Sequence, residues 1–468
     1  MAAPALASLV FTVRRREPEL IAPANPTPRE LKQLSDIDDQ AGLRFQIPSV
    51  LFYRHSPSMN GRDPVRVIRE ALAKTLVFYY PLAGRLREGP AGKLSVDCTG
   101  EGVLFIEADA DVTLEQFGED LQPPFPCFEQ LLYDVPGSGG IIDSPLLLIQ
   151  VTRLKCGGFI FANRVNHTMC DAAGLIQFIM AVAEIARSAC APSVPPVWRR
   201  ELLNARNPPR ITCTHHEFEL STNEANTKEI TNPTFTTLSL ENLAHRSFFF
   251  GTAEVSALQR MVPDHQQEGY STFDLLTAFL WRCRTIALQL NPEAEVRVIM
   301  NVNIRSKFKP PLPTGYYGNA FAYTTAHSTA GKVCSNPLEY ALGLVKRAKG
   351  NVTEEYMRSL ADLLVIKGRP GFPMDRIYGI SDLRHAGFGE VDFGWGKPAY
   401  GGVAGSIPSM ASFLVPFKSN VRGEKGIVVP VCLPIHAMGR FSKELESVLN
   451  LSDIKSVQKY NSTIKSAL

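Results

Sequence analysis

The sequence predicts an α/β protein built from two mixed-sheet domains with a connector between them. Three observations carry that expectation. The chain has 468 residues, enough for two large domains, or three at ~150 residues each. Short β-type runs alternate with helical patterns on both sides of the middle. Between the halves the chain turns polar and proline-punctuated, as a crossover does. The expected boundaries are residues 1–191 for the first domain, 192–240 for the crossover and 241–468 for the second domain.

At the start, Ala5 to Val13 is apolar enough for a first strand, and Arg14, Arg15 and Arg16 read as a solvated basic turn after it. A secretory leader places its basic residues before the apolar run, so this order argues against one. Asp63 and Pro64 supply a cap and a first-turn proline, with Val65, Ile68, Leu72, Leu76 and Tyr79 following at helical spacing. Residues 102–106, 146–151 and 159–162 read as buried strands, the last two joined through Gly157 and Gly158 as a hairpin. Ala172 to Ala189 is apolar around most of a helix circumference, which predicts burial. Pro192, Pro195, Pro196, Pro208 and Pro209 then interrupt the chain, and Ser221 to Glu241 is rich in Asn, Thr and Glu. Beyond them, Ser271 to Asp274 forms a capping box that opens a helix to about Leu290. Val296 to Val302 predicts a strand, Asn336-Pro337 a helix start that Gly350 can end, 426–433 a late strand and 440–449 a late helix.

Composition narrows the function. Hydrophobic residues make up 45% and charged residues 20%, which excludes disordered, collagen-like and fibrous chains. The charge, 49 − 46 = +3, gives no global basic field for nucleic acid or an acidic membrane, although a local basic pocket can still hold a small anion. No run reaches the ~18 apolar residues of a spanning helix. Nine cysteines without a CxxC pair signal neither a disulfide framework nor a cysteine zinc site, so reduced, mostly buried thiols in the cytosol are expected. Ser466 to Leu468 lacks the basic residue of a peroxisomal ending.

Common catalytic signatures are missing: there is no GxSxG, GxxxxGK[ST], GxGxxG or HExxH. His215 and His216 are adjacent, so their side chains diverge on an extended segment and read as a surface pair in the crossover. Val165 to Gly174 stands out. His167 falls where a strand gives way to a turn before a buried helix, a place that can hold a general base rigidly. An imidazole near pKa ~6.5 suits proton abstraction from a hydroxyl. By itself a His-x-x-x-Asp match favours a structural histidine. Asn166 to Thr168 is also a glycosylation sequon, but a glycan there would cover the histidine's surroundings, which suits a cytosolic chain better. Cys170 has no neighbour to ionise it as a nucleophile.

His167 to Asp171 (HTMCD) and Asp392 to Gly396 (DFGWG) resemble, in that order, the two signatures of the plant BAHD acyltransferases. The resemblance extends to Tyr80–Arg85, Gln150–Gly158, Gly315–Asn319 and Cys432–Pro434, and so covers essentially the whole chain. Leu34–Asp39 and Pro208–Cys213 look most like the family's volatile-ester alcohol acyltransferases, of the benzoyl- and anthraniloyl-transferring type. The resemblance implies two chloramphenicol acetyltransferase-like domains, each a mixed sheet flanked by helices, with a channel between them. Acyl-coenzyme A would enter one face as co-substrate and a small alcohol the other, with His167 as general base midway and no permanent cofactor or metal. Asp171 would support His167 by pairing with Arg305. Asp392, Gly394, Trp395 and Gly396 would form a structural turn, and Ser271, Thr272, Lys307 and Ser381 would line the coenzyme side. Two positions depart from the family: Asn303 stands where Asp is common, and Lys307 where a second Arg is common, which loses the bidentate fork. The implied enzyme is a cytoplasmic monomer that uses aromatic or short-chain acyl donors. N-acylation of an amine, a condensation-type domain and an idle acyl-coenzyme A-binding homologue are the alternatives. Condensation domains normally carry a second histidine where Asn166 stands.

Overall fold

The computed structural model describes residues 9–219, 242–263, 269–372, 377–408 and 410–449. Its strands gather into two large mixed sheets, as the alternating patterns predict. The first sheet runs Val13–Arg15, Val103–Ala110, Leu147–Leu154, Phe159–Asn166, Gln46–Tyr53, Tyr400–Val403, and Glu19–Ile21 also pairs with Val103–Ala110. The second runs Leu243–Phe250, Lys425–Pro434, Ala411–Lys418, Ile377–Asp382, Glu295–Asn303, Phe321–Thr329. A small three-stranded sheet joins Leu31–Gln33, Leu94–Asp97 and Arg85–Glu88.

Local chemistry starts each covering helix. Asp63 accepts from the Val65 amide beside Pro64, and the helix Pro64–Phe78 buries Ile68, Leu72 and Leu76 completely. Each such side chain contributes ~1.5–3 kcal/mol. That face meets the helix Ala172–Ala186, which is apolar almost all round and buried on most of its surface. In the second half Ser271 caps Thr272–Leu288 through the Asp274 amide, and the Asp274 carboxylate accepts back from Ser271. The helix Leu338–Gly350 packs beside it over the second sheet.

The structure revises the sequence expectations in four places. The start of the expected strand, residues 5–8, lies outside the described residues; the first strand is Val13–Arg15 and contains Arg14 and Arg15, which read as part of a turn. It is an edge strand, where Arg15 can lay its guanidinium 4.3 Å from the Tyr133 ring centroid. The crossover is partly a packed element. Ser221 to Glu241 lies outside the described residues, but Leu203 joins a third core with Ile37, Ile304 and Met357, and Arg200 is 1% exposed. His215 and His216 do diverge, yet only His216 faces solvent. His215 is buried, with Nε2 2.9 Å from Ser359 Oγ and Nδ1 3.1 Å from Glu217 Oε1. The pull inward is Ser359, on the helix Glu354–Ile366, which the chain's periodicity did not single out. Finally, the range 241–468 is not all second domain. Tyr400–Val403 pairs antiparallel with Gln46–Tyr53, and Phe388, Phe393 and Trp395 sit in the first core.

The Asp392–Gly396 turn is what pins that returning segment. Asp392 Oδ1 accepts from the Gly394 and Gly396 amides at 2.7 and 2.8 Å. Both glycines have positive φ, +113° and +87°, which side chains resist. Phe393 packs on Tyr53 and Phe161, Trp395 meets Phe159 edge-on at 5.3 Å, and the Tyr53 hydroxyl donates to the Val391 carbonyl. Asp392→Ala should therefore cost roughly 1–3 kcal/mol by leaving two amides without their acceptor. A denaturant midpoint equal to that of the unaltered protein would contradict this account of the turn.

Candidate active site

The strand Phe159–Asn166 runs out where its partner Gln46–Tyr53 begins, with Gln46 opposite Asn166. The chain then folds on itself: Asn166 Oδ1 accepts from both the amide and the hydroxyl of Thr168, and the Met169 amide returns to the Asn166 carbonyl. Asn166 is 1% exposed in the folded chain, so its side-chain nitrogen is buried and not presented to a glycan. The His167 amide donates to the Phe45 carbonyl at 2.8 Å. This leaves its ring at the wall of a cavity of about 500 Å³.

The cavity lies between the halves. Ile47, Ser49, His167 and Cys170 line it from the first, and Ser271, Asn301, Lys349 and Ser381 from the second. The imidazole sits between the rings of Phe45 and Phe321, with centroids at 5.4 and 6.1 Å. Its Nδ1 is 3.2 Å from Asn319 Oδ1. Burial lowers the His167 pKa below its usual value, against the raising pull of its own carbonyl, Asp171, Asn319 and Asp38. The ring is therefore neutral at neutral pH. Burial pushes the neighbouring Cys170 thiol far up, so the cavity holds a base and no ionised nucleophile.

Asp171 turns away from the ring. Its carboxylate accepts four hydrogen bonds: two from Arg305 at 2.8 Å each, one from the Gly174 amide at 2.9 Å and one from the Ala320 amide at 3.1 Å. Arg305 also donates to the Gly318 carbonyl. Burial alone would raise the Asp171 pKa, but the Arg305 charge and these donors hold it below the usual carboxylate range. A second buried pair lies behind the first. Arg200 Nη1 donates to Asp38 Oδ1 at 2.8 Å, and the same oxygen accepts from the backbone and side-chain amides of Asn319 at 2.9 Å each.

The other sequence candidates divide. Ser271 and Ser381 face the cavity; Thr272 and Lys307 do not line it. The Lys307 ammonium donates instead to the Val352 carbonyl, the short-range contact its flexible stem allows in place of an arginine fork. Asp392, Gly394, Trp395 and Gly396 are also absent from the cavity wall. Three residues that the sequence reading passed over matter here: Lys349, Asp38 and Asn319. Lys349 lines the cavity and pairs with Asp274 at 2.7 Å, yet a lysine in a last helical turn is unremarkable by sequence. Asp38 and Asn319 lie within segments that resemble the family, but Asp38 is one of three aspartates in Asp36–Asp39 and nothing local marks it or Asn319 as buried at the site.

A family model described as "Transferase family" matches residues 11–448. The benzyl alcohol O-benzoyltransferase of Petunia hybrida is 65% identical over 445 residues, covering 94% of each chain. Among solved structures, vinorine synthase superposes with a TM-score of 0.72 at 22% identity, covering 93% of this chain and 98% of its own. TRI101 of F. graminearum, complexed with ethyl coenzyme A, gives 0.67 at 17%, covering 88% and 97%.

The Asp171–Arg305 contact yields a stability test. Breaking either side leaves a buried charge unpaired, at ~3–5 kcal/mol, so Asp171→Ala and Arg305→Ala should each lower the melting temperature markedly. Because the partners touch, the double variant should lose far less than the sum of the two. Strict additivity across the four proteins would show that the pair is not coupled.

Proposed function

The chain belongs to the Transferase family of BAHD acyltransferases, and on that premise we propose that it moves an acyl group from acyl-coenzyme A to the hydroxyl of a small alcohol. The observation that carries this reading is the His167 imidazole at the wall of a cavity between two sheets, where burial lowers its pKa and raises that of the neighbouring Cys170 thiol. The free ring nitrogen takes the alcohol proton as the alcohol oxygen bonds to the thioester carbonyl carbon. The carbonyl electron pair moves onto oxygen, then returns as the carbon–sulfur bond breaks. The imidazolium gives its proton to the departing sulfur, so the products are ester and free coenzyme A, and the base is regenerated. A thiol of pKa ~8.5 is a good leaving group and needs little help.

Further support comes from the relatives and the walls. The petunia protein is named for benzyl alcohol and a benzoyl group, and Phe321, Phe388 and Phe413 line the cavity, surfaces on which a planar ring packs well. Aromatic acyl donors are accordingly the preferred class in this reading. Ser271, Ser381 and Lys349 mark the coenzyme side, and TRI101, of the same fold, is complexed with ethyl coenzyme A. The reading extends to one chain acting alone in the cytoplasm. A single chain supplies both walls, and all nine cysteines are unbridged, as a reducing compartment keeps them. No helix among the described residues is long and apolar enough to cross a membrane.

His167→Ala should lower turnover by roughly 10²–10⁴ with the melting temperature kept; near-native turnover would eliminate His167 as the base. With both substrates varied, initial rates should give intersecting lines, the pattern of direct transfer, whereas parallel lines would point to an acylated enzyme. Benzoyl- and anthraniloyl-coenzyme A should outperform acetyl-coenzyme A with benzyl alcohol, and strict acetyl preference would overturn the donor assignment. The pH profile follows from the direction of the His167 shift. The base works only when neutral, and its pKa lies below the ordinary ~6.5. Hence kcat/KM should hold from neutral pH down to about 6.5 and fall only below it. An acid limb centred above ~6.5 would contradict the lowered pKa.

A further inference from the structure

With acyl-coenzyme A in the cavity, the alcohol has to reach the imidazole from its other side. Phe45 marks that side. Its ring lies 5.4 Å from the His167 ring, is 36% exposed and, unlike Phe321, does not line the cavity. From His167 an aromatic surface continues along one margin of the second sheet. Phe321 is 6.1 Å from the imidazole, Tyr323 meets Phe321 at 5.1 Å and 90°, and Phe372 meets Tyr323 at 4.8 Å and 76°. Two positions apart on a strand, Phe321 and Tyr323 share one face. The strand Phe321–Thr329 is the edge of its sheet, and Tyr323 stands opposite Asn301, which lines the cavity, so Tyr323 lies one strand farther out.

Tyr323 differs from the phenylalanines beside it by a hydroxyl, and that hydroxyl is unspent. Buried tyrosines usually bond theirs. Tyr356 gives its proton to Glu217, Tyr53 to the Val391 carbonyl and Tyr400 to the Val403 carbonyl. Among the described residues no group hydrogen-bonds to the Tyr323 hydroxyl; the contact from Tyr356, at 3.4 Å, goes to the Tyr323 backbone carbonyl. The hydroxyls of Tyr316 and Tyr378 are enclosed on all sides, whereas Tyr323 is only partly buried and keeps a path to open space. Its ring is held edge-on between Phe321 and Phe372, so the hydroxyl has a fixed place. Burial raises the Tyr323 pKa, so the group keeps its proton and can donate.

We propose that Tyr323 is a specificity-determining residue on the alcohol side: its hydroxyl donates to an oxygen carried on the ring of an arylmethyl alcohol that lies against Phe45 and Phe321. The assignment rests on the reading of the chain as an alcohol acyltransferase and adds a substrate class to it, the ring-oxygenated arylmethanols. The span suits that class. The reacting hydroxyl is held at His167, and the two steps out to Tyr323 are 6.1 and 5.1 Å between ring centroids. A benzene ring laid along them brings a substituent, and not the ring itself, to the phenol. The aromatic walls bind any flat ring. One donor among them adds discrimination, because an alcohol without the matching oxygen leaves it unpaired.

The test pairs alcohols of equal size that differ in one oxygen. Meta-methoxybenzyl alcohol is compared with meta-ethylbenzyl alcohol, and the para isomers likewise, with benzoyl-coenzyme A as donor. In the unaltered protein at least one methoxy member should exceed its ethyl partner in kcat/KM by roughly 3- to 10-fold. Tyr323→Phe, which removes only the hydroxyl, should bring that pair to within about twofold. Equal values within both pairs in the unaltered protein overturn the proposal without any variant. A preference that survives in Tyr323→Phe overturns it as well, because the oxygen is then read elsewhere. The matching donor comparison, para-methoxybenzoyl- against para-ethylbenzoyl-coenzyme A with benzyl alcohol, should give the same ratio in both proteins. A donor ratio that changes with Tyr323 would put the hydroxyl on the acyl side and defeat the assignment. Absence of ester with every alcohol would defeat the functional reading beneath it, and the assignment with it.

Discussion

The geometry of the site depends on one carboxylate. Asp171 caps a helix, receives a two-pronged arginine and takes an amide from the strand entrance at Ala320, so three segments meet on two oxygens. Burying such a charge is costly, and only a complete set of donors makes it tolerable. The set is complete here, which is why the turn carrying His167 has a single shape. The seam around it is correspondingly tight. A Cβ at Gly174 would come within 2.1 Å of the Tyr317 carbonyl oxygen, so the helix start and the Gly315–Asn319 segment approach as closely as backbone permits. Gln177 fastens the same segment again by donating to the Gly315 carbonyl.

Much of the scaffold was legible because its causes are local. The caps at Asp63 and Ser271, the hairpin at Gly157-Gly158 and the buried helix after Asp171 each depend on residues within a turn or two of one another. The parts that were not legible depend on distant partners. Tyr400–Val403 contains two glycines in four residues and shows no convincing strand pattern. It becomes a strand because Gln46–Tyr53 offers it a free edge. Arg200 sits in a proline-broken stretch, and nothing nearby announces that it will be buried against Asp38, 162 positions earlier. At the site, His167 and Asp171 stood out by spacing and resemblance, whereas Asn319 is invisible to both as a partner of the ring.

Two histidines of this chain show how little a list of distances says about chemistry. His215 has the contacts of a hydrolase triad, with a serine hydroxyl on one nitrogen and a glutamate on the other. Yet Ser359 Oγ already accepts from the Thr212 and Cys213 amides, and Tyr356 donates to both Glu217 oxygens. All are buried, with exposures between 0% and 5% for His215, Glu217, Ser359 and Tyr356. Every valence is used in tying the crossover to the helix Glu354–Ile366. His167 has the poorer inventory, an amide instead of an acid, but it faces open space. A nucleophile or base is defined by the bond it has left to make, and a satisfied triad is a fastener.

The division of labour across the seam has a consequence for how such a site can respond to its substrates. His167 and Asp171 come from the first half, while Asn319 and Arg305, which orient them, come from the second. The cavity between the halves is the same seam widened. A substrate that spreads the walls therefore acts on the base's supports as well as on its own contacts. Near the base, small displacements fall on hydrogen bonds of 2.8 to 3.2 Å, whose strength declines steeply with misalignment. Poorly fitting alcohols or acyl groups should consequently be penalised in turnover more than in binding, since misfit reaches the proton-accepting group directly. The aromatic walls of Phe321, Phe388 and Phe413 and the buried pairs at Asp171 and Asp38 thus belong to one seam.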